Sequence, residues 1–83
     1  MIDAHSLTAE HLERWFVTRI ADALRIGQEE VDVDAPLSDH GLDSLSALTM
    51  TGELEKMLGR RLPATLFWEY PTIARLSRHL GRS

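Results

Sequence analysis

The sequence contains no cysteine. That excludes a disulfide framework, a thiolate metal site and a cysteine nucleophile. It also has no apolar run of the length a membrane-spanning helix needs. The opening Met1-Ile2-Asp3-Ala4-His5 lacks the basic start and apolar stretch of a secretory signal. The expectation is a soluble cytoplasmic domain without a membrane partner. The chain itself is short. At 83 residues it makes one domain, over 1–83 with a core from about 8 to 80. A chain of this size buries only about two-thirds of the surface it exposes when unfolded. One small core is possible, and a deep substrate pocket is not, which argues against an autonomous enzyme. Apolar residues at 43% are enough for that core and do not indicate disorder.

Basic residues are scarce where the acids gather. Residues 1–55 hold twelve Asp and Glu against three Arg, a balance of −9, whereas residues 56–83 hold one acid against six bases, a balance of +5. Between 29 and 43 stand Glu29, Glu30, Asp32, Asp34, Asp39 and Asp43 with no Lys or Arg. Such a surface repels phosphate backbones, so nucleic acid is not an expected partner. It would steer a basic protein surface toward this segment. A solvated loop rich in turn-forming acids explains the same count without any partner.

Hydrophobic periodicity organises the rest. Ala9, Leu12, Trp15, Phe16, Ile20, Ala23 and Leu24 recur at intervals of three and four, which predicts a first helix from Thr8 to about Arg25. Thr8 can cap its start, Glu10 suits the positive end of its dipole, and Gly27 ends it. Residues 28–42 carry no helical period and read as a long loop, with Val31, Val33 and Leu37 pinning it to the core. A second helix is predicted over Ser44–Leu58, stopped by Gly59. Its stripe is Ala47, Met50, Leu54 and Leu58, and one of Leu45 and Leu48 should be partly exposed. Ala64 to Glu69 can form a short helix. Pro71 breaks it, and Thr72 caps a last helix carrying Ile73, Leu76 and Leu80 and ending at Gly81. The fold class is all-α: a small antiparallel bundle of three main helices and one short one, with a long loop between helices 1 and 2.

The string Gly41-Leu42-Asp43-Ser44-Leu45 sets a serine hydroxyl in the first turn of helix 2, directly after the acidic loop. Read alone it is a helix cap, made by either Asp43 or Ser44. It does not stand alone, because Leu62-Pro63-Ala64-Thr65-Leu66-Phe67-Trp68-Glu69-Tyr70-Pro71-Thr72-Ile73 and Leu76-Ser77-Arg78-His79-Leu80 follow. Together these strings resemble an acyl carrier protein of the polyketide-synthase type, over roughly Leu12 to Leu80. The resemblance implies that Ser44 carries 4′-phosphopantetheine, and that the protein is a carrier without catalytic activity of its own. It implies a bundle of three main helices with a short extra one, which agrees with the periodicity. The implied partners are a phosphopantetheinyl transferase that uses coenzyme A and magnesium, an acyl-loading enzyme, and a ketosynthase or other synthase domain. Polyketide or fatty-acid biosynthesis is the implied setting, and the carrier is expected to be a monomer.

The stretch Thr51 to Leu62, with Pro63-Ala64-Thr65-Leu66 and Tyr70-Pro71-Thr72-Ile73, further resembles carriers loaded by fatty-acyl-AMP ligases. Typical polyketide carriers have a Glu–Leu–Arg run after the serine motif, and Thr49-Met50-Thr51 departs from it. A loading role for a fatty acyl starter is therefore an expectation, with an acyltransferase as the other route of loading. The expected partner interface comprises Asp39, Leu42, Asp43, Leu45 and Leu48.

Other readings use the same residues. A peptidyl carrier of a nonribosomal synthetase would share the fold, but Leu42 stands where such carriers usually have a second glycine. A helical interaction module would need no chemistry at Ser44. A hydrolase built from Ser44, His40 and Asp39 or Asp43 has the residue types, yet lacks a strand-to-helix elbow and an oxyanion pocket. His5, His11, His40 and His79 lack metal-ligand spacing, so no metal site is expected. Trp15, Phe16, Phe67, Trp68 and Tyr70 are expected mainly in the core, with Trp68 or Tyr70 able to rim a groove near the last helix.

Overall fold

A computed structural model describes residues 8–81. Four α-helices follow in order: α1, Ala9–Leu24; α2, Ser44–Leu58; α3, Leu66–Glu69; and α4, Ile73–Leu80. The described residues contain no strand. His5 lies outside them, and so nothing is added to its sequence reading.

Thr8 and Thr72 cap α1 and α4 as their positions predict. Thr8 Oγ1 accepts from the His11 N–H at 3.2 Å, and Thr72 Oγ1 accepts from the Arg75 N–H at 3.1 Å. Each hydroxyl satisfies a donor that the first helical turn leaves unpaired. The end of α1 differs from expectation. The helix stops at Leu24, with Arg25 in the left-handed region at φ 58°, ψ 47°, two residues before Gly27. The Ile26 N–H reaches the Ala21 carbonyl at 3.0 Å and the Arg25 N–H the Asp22 carbonyl at 3.3 Å. This paired closure needs a left-handed residue, a position glycine fills without strain. Here an arginine fills it. The fit is set by Ile26, which half-buries against the core just past the turn. By contrast α2 stops as predicted, on Gly59 at φ 66°.

The core lies between α1 and the other three helices. Leu12, Phe16 and Ile20 of α1 meet Met50 and Leu54 of α2, Leu66 and Phe67 of α3, and Ile73, Leu76 and Leu80 of α4. Phe16 and Phe67 meet edge to face with centroids 6.1 Å apart, an arrangement favoured by the ring quadrupoles. Two polar residues enter this core unannounced by the hydrophobic pattern. Thr51 is buried with its hydroxyl donating to the Ala47 carbonyl at 2.9 Å, so it enters without an unpaired group. Ser77 is 1% exposed, and its hydroxyl has no partner among the described residues. On α1 it is Ala21 that is buried, whereas Ala23 is exposed.

The loop between α1 and α2 is not featureless. It contains two 3-10 turns, Gln28–Glu30 and Leu37–His40. Neither has a hydrophobic period long enough to register, since each is about one turn. Val31 and Leu37 are buried and Val33 packs against the core, the anchoring the sequence predicts. Main-chain bonds then tie the loop to the start of α4. The Leu37 N–H donates to the Pro71 carbonyl at 2.9 Å, and the Ala74 N–H to the Val33 carbonyl at 3.0 Å. The loop therefore enters α2 from a fixed position.

Candidate functional site

Ser44 is exposed and is the first residue of α2. Three local features set it there. Leu37–His40 ends on Gly41, at φ 85° and ψ 18°, whose N–H bonds back to the Leu37 and Ser38 carbonyls. A Cβ at Gly41 would touch nothing within 4 Å, so the requirement for glycine is the positive φ and not space. The chain then straightens through Leu42 to Asp43. Asp43 is extended at φ −93°, ψ 170°, and its Oδ1 accepts the Ser46 N–H at 2.7 Å. Of the two residues able to cap α2, Asp43 does so, and the Ser44 hydroxyl makes no hydrogen bond among the described residues.

The same contact fixes the electrostatics. The Ser46 amide, with the Ser46 side chain adding, holds the Asp43 carboxyl below its ordinary value of 3.8. Asp43 is therefore ionised at neutral pH and already engaged, a poor base for the neighbouring serine. His40 is engaged as well. Its Nε2 accepts the Asp32 N–H at 3.0 Å, and its buried Nδ1 finds no partner among the described residues. The ring serves as a crosslink within the loop. Asp39 is exposed in the second 3-10 turn. Among the described residues His40 and Asp43 are hydrogen-bonded to the Asp32 and Ser46 amides and not to Ser44. Among the described residues no group of three or more His, Asp or Glu is placed to hold a metal ion.

Around the serine lies an apolar surface. Leu45 is 73% exposed and Leu48 is 56% exposed. One exposed leucine is expected from sequence, and both are found. The reason is the helical angle: at about 100° per residue, Leu45 points roughly opposite Leu54, and Leu48 lies well off the buried face. Leu42, expected at the interface, is half-buried and packs against the core. On its inner side it joins a shallow groove of about 100 Å³. Leu37, Ala47, Phe67, Trp68 and Pro71 complete the apolar part of the groove, and Ser38, Asp43 and Ser44 supply its polar part.

Phe16 and Phe67 are core, as expected, and Trp68 rims the groove, the place the sequence reading allowed for Trp68 or Tyr70. Trp68 is 71% exposed. A single helical turn can turn only part of its circumference inward, and in α3 Leu66 and Phe67 take that side. Trp15 and Tyr70 are half-buried, and Tyr70 stacks on His79 at a centroid distance of 4.0 Å.

An exposed serine at a capped helix start, entered from a pinned acidic loop, has clear relatives. The family model described as "Phosphopantetheine attachment site" matches residues 14–80. The chain belongs to this family. The cofactor of the family is phosphopantetheine, and the chain is a carrier domain of the kind found in polyketide synthases. The polyketide synthase PksL of Bacillus subtilis is 37% identical over 70 residues, covering 84% of this chain and 2% of that protein. The 6-methylsalicylic acid synthase of Aspergillus terreus is 42% identical over 67 residues, covering 75% of this chain and 4% of that protein. The chain thus spans only a few hundredths of these relatives' length. Among solved structures, a free-standing peptidyl carrier protein from Acinetobacter baumannii superposes with a TM-score of 0.82 at 34% identity, covering 88% of this chain and 91% of that one. The acyl carrier protein LipD from Actinoplanes friuliensis superposes at 0.69 with 40% identity, covering 88% and 81%. No helix among the described residues is long and apolar enough to cross a membrane.

Proposed function

We propose that Ser44 carries 4′-phosphopantetheine and that the domain presents acyl groups, held as thioesters on that arm, to the enzymes of a polyketide or related synthase. The observation that carries this reading is the exposed Ser44 hydroxyl beside a cap supplied by Asp43. The residues suit a phosphodiester anchor. The helix start offers its positive dipole end to a phosphate. The main-chain ties of the loop to α4 keep the anchor in one place. When bound, the arm supplies the thiol that this cysteine-free chain lacks. Tethering keeps its cargo at high effective concentration beside successive partners.

The chain does not activate its own serine. A hydroxyl needs a base or a metal to become nucleophilic at neutral pH, and Asp43 and His40 are both engaged elsewhere. A phosphopantetheinyl transferase with its magnesium therefore supplies activation. In the transfer, Ser44 Oγ bonds to the phosphorus nearest the pantetheine of coenzyme A. The pyrophosphate P–O bond breaks, the adenosine bisphosphate leaves, and the serine proton passes to the enzyme's base. The domain acts as a monomeric unit with no catalysis of its own. Asp39, Asp43, Leu45 and Leu48 form the surface that the transferase, an acyl-loading enzyme and a ketosynthase read. A fatty-acyl-AMP ligase is the loading enzyme that the Thr51–Ile73 stretch favours. Intact mass after incubation with coenzyme A and a broad-specificity transferase tests the reading. One phosphopantetheinyl addition is expected on the parent chain and none on Ser44→Ala. Addition to Ser44→Ala, with Ser38 and Ser46 as the alternative acceptors, would refute it.

A further inference from the structure

The groove beside Ser44 is an apolar concavity at the foot of the attachment point. We propose that it holds the root of the arm, the paired methyl groups next to the phosphate, with Trp68 as the positioning residue. The acyl chain stays outside. The proposal rests on the reading that Ser44 carries the arm.

Three observations converge. First, Ser44 itself lines the groove together with Ala47 of α2, Leu37 and Leu42 of the loop, and Phe67 and Trp68 of α3. A group attached at Ser44 begins at its edge, so only the first atoms beyond the phosphate need turn inward, and entry is intramolecular. In this arm those atoms are a methylene and a quaternary carbon bearing two methyls, the arm's most compact apolar unit. Second, Trp68 leaves a large indole in water at 71% exposure on a helix of four residues. Nothing among the described residues covers it, and an apolar group seated against it would remove that surface from water. Third, the groove is small. Its volume of about 100 Å³ falls below the roughly 150 Å³ of an engineered cavity that takes up benzene. A branched group of a few carbons can seat in it with one side left open to water.

The closed core decides where the acyl chain goes. Met50, Leu54 and Leu66 of the core are 0–1% exposed, and none of them lines the groove. Interiors of this kind are close-packed, so a long chain could enter only by displacing them. The arm's root is therefore held and the thioester end is free. The carrier contributes no selection by acyl length, and the partner enzyme reads the cargo.

The test is NMR of the uniformly labelled chain in five forms: unmodified, phosphopantetheinylated, and carrying acetyl, octanoyl and palmitoyl groups. Each form is first checked by intact mass. The two tryptophans supply two indole N–H signals. Trp68→Phe identifies its own signal by deleting it, and Trp15 is the internal control. The expected result is a shift of the Trp68 signal on modification, with nuclear Overhauser contacts from the arm's paired methyls to the Trp68 ring and Leu42, and no shift of Trp15. The three acyl forms should then coincide with the modified form at Trp68, Met50, Leu54 and Leu66. Absence of both the Trp68 shift and the methyl contacts would overturn the seat for the arm. Core methyl shifts that grow from acetyl to palmitoyl would overturn the exclusion of the chain. A chain that gains no mass fails earlier, and that outcome overturns the Ser44 reading together with this proposal.

Discussion

Truncating Leu54 to alanine should expose how little reserve this domain has. Leu54 is 0% exposed and sits on α2 facing the α1 residues that make the core. The substitution removes three buried carbons and leaves a void that close-packed neighbours fill only in part. The usual cost for a leucine of this kind is about 2–5 kcal/mol. At roughly 0.05–0.15 kcal/mol per residue, a chain of this length has only about 4–12 kcal/mol in total. The variant therefore loses between a sixth of its stability and all of it. A domain of 60–100 residues shifts its melting temperature by about 4–8 °C per kcal/mol, so a fall of at least about 8 °C is expected by circular dichroism. Leu45→Ala is the matched control. It deletes the same atoms on the same helix from a side chain 73% exposed, and should change stability by less than about 0.5 kcal/mol. Equal melting temperatures for parent and Leu54→Ala, or equal losses for the two variants, would show that the buried face of α2 is misassigned.

Other outcomes follow from single contacts. Arg25→Gly removes left-handed strain of about 1–2 kcal/mol while adding about 0.4–1 kcal/mol of unfolded-state freedom. Denaturant unfolding should therefore show a net gain of roughly 0–1.5 kcal/mol, and a clear loss would contradict the closure described for α1. Ser77→Ala deletes a buried hydroxyl that has no partner among the described residues and should be neutral or stabilising; a large loss would mean that the hydroxyl is paired. The Asp43 carboxyl is held low by folding, so its contribution to stability is fully present above its unfolded value. It is lost as pH falls through the folded value. Asp43→Asn keeps a capping oxygen and should flatten only this acid limb of the stability profile, as followed by urea unfolding at a series of pH values. Asp43→Lys should slow modification by a transferase and weaken its dependence on salt, because exposed charges are screened over about 8–10 Å near physiological ionic strength. Identical rates for folded parent and variant at low salt would remove the charge-steered part of the docking surface.

Much of this architecture is legible before any coordinates. Thr8, Asp43 and Thr72 are short polar residues directly ahead of apolar periods, and all three cap helices. Gly41 and Gly59 stand where the chain turns left-handed. What the pattern does not carry has local causes. Arg25 takes a position glycine would mark, so the stop expected at Gly27 lies two residues past the observed one. Thr51 and Ser77 are polar by type but small, and a helix can bury them by bonding backward or by leaving a hydroxyl unpaired. Trp68 is apolar by type and sits outside because α3 is too short to bury all its faces. The exposure of both Leu45 and Leu48 follows once the buried face is known to centre on Leu54. The serine site was legible through its neighbours in sequence. A groove rimmed by Trp68 was expected, but its place beside the serine was not legible, since it closes between two stretches far apart in sequence, 37–47 and 67–71.

The central claim is that one hydroxyl, that of Ser44, anchors the arm. Peptide-level mass spectrometry of the modified chain, combined with thiol counting, tests it most directly. The account predicts fragment ions that locate the phosphopantetheinyl group on Ser44, and one reactive thiol per modified chain against none in the unmodified, cysteine-free chain. The group on Ser38 or Ser46, or a modified mass without a reactive thiol, would contradict it.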